Sequence, residues 1–134
     1  IQDALDYGSW TAGMTHGINY GYDCYEDPAE FTDFLDYVKA MEDRIWVGTF
    51  GEVAAYVKEA AECKLTVSYE GNKVIVTPEL DIDSSLYDMP LTMEINTEGS
   101  RIKASQDGKD LKPEYRDGKA YIQFDPYGGN ITIR

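Results

Sequence analysis

His16 is the only histidine in the chain, and histidine is the side chain best suited to move a proton near neutral pH. It ends the apolar stretch Trp10-Thr11-Ala12-Gly13-Met14-Thr15, and Gly17 follows it directly. A buried parallel strand has this pattern when it delivers a polar side chain at its C-terminal end. Sites gather at those strand ends in α/β folds, because the loops there vary while the sheet stays rigid. His16 is therefore a candidate general acid or base, against the alternative of a structural or surface histidine.

Three tyrosines follow His16 in a polar loop over residues 19–27. Tyr20, Tyr22 and Tyr25 offer aromatic rings with polar tips, which suits stacking on the faces of sugars. The alternative is a tyrosine-rich loop that packs on itself, and the sequence leaves both open. Trp10, in the predicted strand before the loop, is a further candidate for substrate contact, although core packing is more usual for such a residue.

The remaining potential ligands predict no metal site in this chain. Cys24 and Cys63 have a spacing that matches no metal motif. The sequence leaves open a disulfide between them, with two free thiols as the favoured interpretation. The segment Asp81-x-Asp83-x-Ser85 has the start of a calcium loop, but Leu86 and Thr92 replace the glycine and the closing glutamate that such a loop needs. We interpret this segment as a solvated loop.

The composition is that of a globular domain with an acidic surface. Twenty-five acidic and 12 basic residues give a formal net charge of −13 over 134 residues. Such a surface repels phosphate backbones and anionic lipid, which argues against nucleic-acid and membrane partners. No apolar run approaches the length of a membrane span. Residues 1–7 are typical of the last turns of a helix that stops at Gly8, so we expect the natural N-terminus to lie upstream.

The first half alternates strand and helix. The predicted strands are residues 10–18 and 44–49, and both look buried on two faces. Asp27-Pro28 and Glu30 predict the start of a helix near 28–42, and Thr49 with Glu52 predicts a second helix over 50–62. This alternation implies adjacent parallel strands with crossover helices. Two such units cannot close a sheet, so the first half is expected to end a larger α/β domain.

The second half contains short strands and turns only. Glu70-Gly71-Asn72 predicts a tight hairpin between strands at 64–69 and 73–78. Asp107-Gly108, Asp117-Gly118 and Gly128-Gly129 are further turn signals at the spacing of a β-sandwich. We predict an antiparallel sandwich of about six or seven strands, with the others at 91–96, 101–105, 120–125 and 130–133.

Residues 5–62 resemble the C-terminal part of a polysaccharide deacetylase, the NodB-homology fold of carbohydrate esterase family four. The matching segments are Trp10 with Met14-Thr15-His16-Gly17-Ile18, then Phe31-Thr32-Asp33-Phe34-Leu35-Asp36-Tyr37-Val38, then Ile45-Trp46-Val47-Gly48-Thr49-Phe50-Gly51-Glu52-Val53-Ala54-Ala55-Tyr56-Val57. The family ends its distorted (β/α) barrel with a strand carrying an apolar-x-His motif, a helix, a last strand and a final helix. The resemblance thus implies that residues 1–62 form the end of such a barrel and that residues 63–134 form an appended β-sandwich. The expected fold class is α/β followed by all-β.

The resemblance also implies a chemistry. In these enzymes a divalent metal of the zinc or cobalt type polarises the acetyl group and its water, and a separate Asp acts as base. The histidine that His16 matches protonates the leaving sugar atom. The metal ligands and the base belong to early motifs that this sequence lacks, so they are expected in a missing N-terminal part. The implied substrate is an acetylated polysaccharide or oligosaccharide, and the implied location is secreted, periplasmic or at the cell surface.

Three hypotheses remain open at this point. The leading one is the C-terminal part of a metal-dependent carbohydrate esterase that removes acetyl groups and is inactive as this chain alone. The first alternative is a non-catalytic carbohydrate-binding or interaction module that retains only the end of the fold, as a degenerate relative would. The second is that residues 64–134 are a purely structural domain that shields the open side of the barrel.

Overall fold

The computed structural model describes all residues from 1 to 134, and the chain divides into two compact units, Ile1–Phe50 and Gly51–Arg134. The helices are α1 (Gln2–Tyr7), α2 (Pro28–Lys39) and α3 (Phe50–Glu62). All eight strands lie in the second unit: β1 (Lys64–Glu70), β2 (Lys73–Glu79), β3 (Leu91–Asn96), β4 (Ala104–Gln106), β5 (Lys109–Leu111), β6 (Glu114–Arg116), β7 (Lys119–Phe124) and β8 (Ile131–Ile133). None of the helices combines the length and apolar character that crossing a bilayer requires.

The helix ends in the first unit follow the local sequence signals. Gly8 ends α1 in the left-handed conformation, at φ 61°, as predicted. Asp27 caps α2 by accepting a hydrogen bond from the Ala29 backbone N–H at 2.9 Å, and Pro28 occupies the first helical position. The α2 helix ends at Lys39, slightly before its predicted end, and turns continue to Arg44.

The two predicted parallel strands of the first unit are not formed in this structure, which differs here from the sequence-based prediction. Residues 10–18 and 44–49 contain no strand, apart from an isolated parallel bridge between Ile18 and Tyr25. The physical reason is the absence of neighbours, since a buried parallel strand needs pairing partners on its edges and helices on its faces. Every strand ladder of the chain is antiparallel and lies in the second unit. No part of a barrel is therefore seen.

The first unit has no buried core of its own. None of residues 1–50 is buried, although this segment is rich in large apolar side chains. Met14, Val47 and Phe50 are largely exposed, and Trp10 and Trp46 are about half exposed. Apolar side chains of this size normally gain their stability by leaving water.

The second unit is a sandwich of two antiparallel sheets, as predicted. One sheet has the strand order β1-β2-β8-β4-β5, and the other has the order β3-β7-β6. Alternate residues of facing strands point inward and form the core, as the period of two requires. The buried core comprises Val76, Leu91, Met93, Ala104, Ile122, Phe124, Ile131 and Ile133.

The turn residues set the register of the short strands. Asp107 and Gly108 have φ of 51° and 75°, and Asp117 and Gly118 have φ of 50° and 75°. Positive φ at both central positions is the geometry of a type I′ hairpin turn, which confirms the role expected of these dipeptides. The strand predicted at 101–105 lies instead at Ala104–Gln106. Eight strands form rather than six or seven, because β5 and β6 are each three residues long and carry no readable alternation.

Helix α3 packs within the second unit, on an edge strand of the smaller sheet. The Tyr56 hydroxyl accepts a hydrogen bond from the Thr92 backbone N–H at 3.3 Å. Both carboxylate oxygens of the fully buried Glu59 accept from the Met89 backbone N–H, at 3.2 and 3.1 Å. Tyr56 thereby satisfies a donor on the open side of β3, which would otherwise be an unpaired sheet edge, and Glu59 satisfies one in the segment just before that strand. The assignment of 1–62 and 63–134 to two different domains stays a prediction.

Candidate functional site

The loop from Thr15 to Tyr25 carries the predicted site residues and closes on itself through backbone hydrogen bonds. The Asn19 N–H donates to the Tyr25 carbonyl at 2.7 Å, and the Tyr25 N–H donates to the Gly17 carbonyl at 3.3 Å. The Thr15 hydroxyl donates to the Gly17 carbonyl at 2.9 Å. A surface loop whose ends meet in this way presents its side chains outward from a defined backbone.

Gly17 is required by the tightness of this loop. A Cβ atom at position 17 would lie 2.4 Å from the backbone oxygen of Tyr20. Asn19 and Asp23 adopt left-handed φ values of 67° and 51°, a conformation that Asn and Asp tolerate better than most residues. The sequence after His16 is therefore suited to a compact loop.

His16 lies at the start of this loop, on the surface. Its backbone N–H donates to the Asp23 carbonyl at 3.4 Å. Its imidazole contacts the Tyr22 ring edge-on, with 5.9 Å between the ring centroids. The His16 residue is exposed, so its ring is open to a bound molecule.

In the structure Tyr22 lies against His16, whereas the other aromatic candidates differ in exposure and in packing partners. Tyr20 and Tyr22 are 80% and 84% exposed, so their rings are open to a ligand. Tyr25 is half-buried and packs on Phe31 of α2, with 5.2 Å between centroids, which is a structural contact. Trp10 packs against Phe50 at 5.1 Å. The sugar-binding role of these residues stays a prediction.

A divalent metal, which the family resemblance implies, does not fit the residues of this chain. No group of three or more His, Cys, Asp or Glu side chains is arranged to hold a metal ion. Asp83 instead accepts hydrogen bonds from the backbone N–H and the hydroxyl of Ser85, at 3.0 and 2.7 Å. The Ser85 side chain and then its backbone lower the pKa of Asp83, as in an ordinary self-contained turn. Both cysteines are free thiols.

Sequence reasoning missed a groove of about 540 Å³ at one end of the sandwich. Three connections that are distant in sequence form it: the loop between β2 and β3, the β4–β5 turn and the loop between β7 and β8. Its lining includes Asp88, Asp107, Lys109, Gln123, Asp125 and Tyr127. The available sequence signals were Asp107-Gly108 and Gly128-Gly129. They identify the turns but do not show that these turns lie side by side at one end of the sandwich. We refer to this feature as the end groove.

A single buried side chain fixes the wall of the end groove. The Gln106 amide nitrogen donates to the Asp125 and Gly129 carbonyls, at 2.8 and 3.0 Å, and its amide oxygen accepts from the Asp125 N–H at 3.0 Å. Asp107 accepts from the Gly129 N–H at 3.0 Å. A Cβ at position 128 would lie 2.6 Å from the Gln106 amide nitrogen, so this loop needs glycine to approach so closely.

Comparison with known proteins gives a distant relative. No protein-family model matches the chain. No solved structure matches it. Among curated proteins, the chain is 26% identical over 146 residues to a gellan lyase from Bacillus sp.. The similarity covers 99% of this chain and therefore both units, yet it spans 6% of the length of that enzyme.

Proposed function

We propose that this chain is the C-terminal part of a carbohydrate deacetylase that removes acetyl groups from a polysaccharide, with His16 as general acid. In this proposal residues 10–18 and 44–49 become strands when they pair with the remainder of an α/β domain. His16 then lies at a strand's C-terminal end, facing the cleft. The chain alone is inactive, because the metal ligands and the base belong to the remainder.

The observation that carries the proposal is the uncovered apolar character of the first unit. Helix α1 ends at its Gly8 cap and helix α2 begins at its Asp27 cap, and an apolar segment follows each helix, yet none of residues 1–50 is buried. Trp46 and Val47, for example, are 52% and 69% exposed. A segment of this kind is stable when further structure covers it. The resemblance of the same segments to the end of a NodB-type barrel supplies the identity of that structure.

The chemical role of His16 in this proposal comes from the family resemblance, and the exposure of the side chain is compatible with it. Water adds to the acetyl carbonyl carbon and forms a tetrahedral intermediate, which then expels the sugar oxygen. As that carbon–oxygen bond breaks, the imidazolium gives its proton to the departing oxygen, and the products are acetate and a sugar hydroxyl. The base that activates the water is outside this chain.

The distant relative supports a polysaccharide as the substrate class. Its name indicates that it acts on gellan, which is a polysaccharide, and the similarity extends along nearly the whole of this chain. Elimination by a lyase and hydrolysis of an acetyl group are different reactions, so the support concerns the class of polymer and not the bond that is broken. A polysaccharide substrate implies a secreted, periplasmic or cell-surface protein.

The experiment is acetate release from acetylated polysaccharide by the intact polypeptide that carries this chain. We expect His16→Ala and His16→Gln each to lower turnover by about a hundred- to ten-thousandfold, because neither replacement donates a proton at neutral pH. Thermal unfolding of each variant should equal that of the parent. Turnover within about threefold of the parent, at equal stability, would contradict the role of His16, since a positioned acid contributes far more than that.

A second candidate function is non-catalytic contact with saccharide through the loop tyrosines. The observation that favours it is the exposure of Tyr20 and Tyr22, which leaves apolar ring faces in water. We expect Tyr20→Ala and Tyr22→Ala to weaken binding of an insoluble polysaccharide. Tyr7→Ala is the matched control, because Tyr7 is 82% exposed but lies outside the loop. Equal effects of all three substitutions would rule out a specific role for the loop.

A further inference from the structure

We propose that the end groove is a second binding site, which takes an uncharged saccharide and acts independently of the Thr15–Tyr25 loop. The ligand class rests on the proposed function, since a polysaccharide-acting protein is the premise. The location and the charge preference rest on the second unit alone.

The end groove is an open depression with the volume of a ligand site, and hydrogen bonds tie its loops together. Its volume of about 540 Å³ lies within the range of small-molecule pockets. Gln106, which is 5% exposed, ties the backbone at Asp125 and Gly129 together. Asp125 also accepts from the Tyr127 N–H at 2.9 Å, and the Tyr127 hydroxyl donates to the Ile82 carbonyl at 3.4 Å, which joins two of the three loops. Little ordering cost then remains for the binding step.

The lining combines apolar surface with uncommitted polar groups, which is the requirement for a sugar. Pro90, Leu111 and the Tyr127 ring offer apolar surface for the C–H face of a pyranose. The side chains of Asp88 and Lys109 are exposed, and neither is engaged in an ion pair or a side-chain hydrogen bond, although the Lys109 backbone pairs with Gln106 in the β4–β5 hairpin. A carboxylate accepts from sugar hydroxyls and an ammonium donates to them, so the two groups complement a neutral polyol.

The charge of the end groove selects against acidic sugars. Asp88, Asp107 and Asp125 line it together with a single lysine, Lys109. The pKa of Tyr127 is raised, first by desolvation and then by surrounding carboxylates that include Asp88 and Asp125. A uronate would bring its own negative charge into this field, on a chain of net charge −13. An uncharged saccharide avoids that cost.

The test is a titration of the intact polypeptide that carries this chain, isotopically labelled over these 134 residues and followed by amide chemical shifts. The probes are short neutral oligosaccharides of xylan, cellulose and mannan, with oligogalacturonate as the acidic comparison. We expect at least one neutral probe to shift amides of the end groove. Asp88→Ala and Lys109→Ala should each weaken that binding about three- to tenfold, the effect of one lost hydrogen bond. Asp110→Ala and Lys112→Ala are matched controls, because both residues are exposed nearby but outside the groove.

Each outcome decides the proposal. Shifts at the end groove that the groove substitutions weaken and the controls do not would support it. Absence of binding by all neutral probes, equal weakening by the controls, or stronger binding of oligogalacturonate would overturn it. His16→Ala should leave these shifts unchanged. If the groove binds nothing while acetate release still depends on His16, the groove proposal fails and the proposed function stands; the reverse pattern refutes the proposed function alone.

Discussion

Gln106 provides a sharp test of how the second unit is held together. The substitution Gln106→Ala removes both donors and the acceptor that bind the backbone of the β7–β8 loop. The three hydrogen bonds involved are 2.8, 3.0 and 3.0 Å long, and the side chain is almost completely buried. Alanine offers no replacement for any of them.

The expected loss of stability follows from these bonds. Each contributes about 1 kcal/mol net, so Gln106→Ala should destabilise the second unit by about 3 kcal/mol. This is a large part of the roughly 5–15 kcal/mol that stabilises a typical domain. With a urea dependence of about 2 kcal/mol per molar, the unfolding midpoint should fall by about 1.5 M.

The assay is urea unfolding followed by the methyl signals of Ile122 and Ile131, which are fully buried and report on the second unit alone. Gln123→Ala is the matched control, because Gln123 is exposed and should change stability by less than about 0.5 kcal/mol. A midpoint for Gln106→Ala that equals the control midpoint would refute the view that this side chain holds the loop.

Three further predictions concern other parts of the chain. The pKa of Glu94 is lowered, first by its hydrogen bond to Lys119 and then by that to Tyr121. The stability that Glu94 contributes is therefore present above its unfolded pKa of about 4.3 and is lost as the pH falls through the lower folded value. Glu94→Gln should flatten the acid side of a pH–stability curve, and an unchanged acid side would contradict this. Burial raises the pKa of Cys63, so its alkylation by iodoacetamide at pH 8 should be slower in the native chain than in urea, and equal rates would count against that burial. The 134-residue chain alone should release no acetate from acetylated xylan or a chitin oligomer, even with added zinc or cobalt. Measurable release would contradict the proposal that the metal ligands and the base lie outside this chain.

Local chemistry made much of the second unit predictable. Glu70-Gly71-Asn72, Asp107-Gly108 and Asp117-Gly118 specify turns, and alternation beside them specifies strands such as β2, β3 and β7. The short strands β5 and β6 escaped prediction because three residues cannot show a period of two. The end groove escaped it because its residues come from three connections whose convergence depends on the sheet order.

The first unit shows a different limit of sequence reasoning. Asp27-Pro28 and Gly8 act within their own turns, so the helix ends were predictable from a few residues. Residues 10–18 and 44–49 have the composition of buried strands, but a strand forms only when neighbours supply hydrogen bonds and cover its faces. The proximity of His16 and Tyr22 arises from a loop that closes locally, whereas the role of His16 depends on groups outside this chain.

The most direct test of the central claim compares two leaving groups in the intact polypeptide that carries this chain. A general acid matters for a sugar alkoxide, which must be protonated as it departs, and matters little for a nitrophenolate, which leaves unaided. His16→Ala should therefore lower turnover of an acetylated sugar by about a hundredfold or more, while nitrophenyl acetate loses much less. Equal losses on both substrates would show that His16 is a ligand or a structural residue and would contradict its role as the acid.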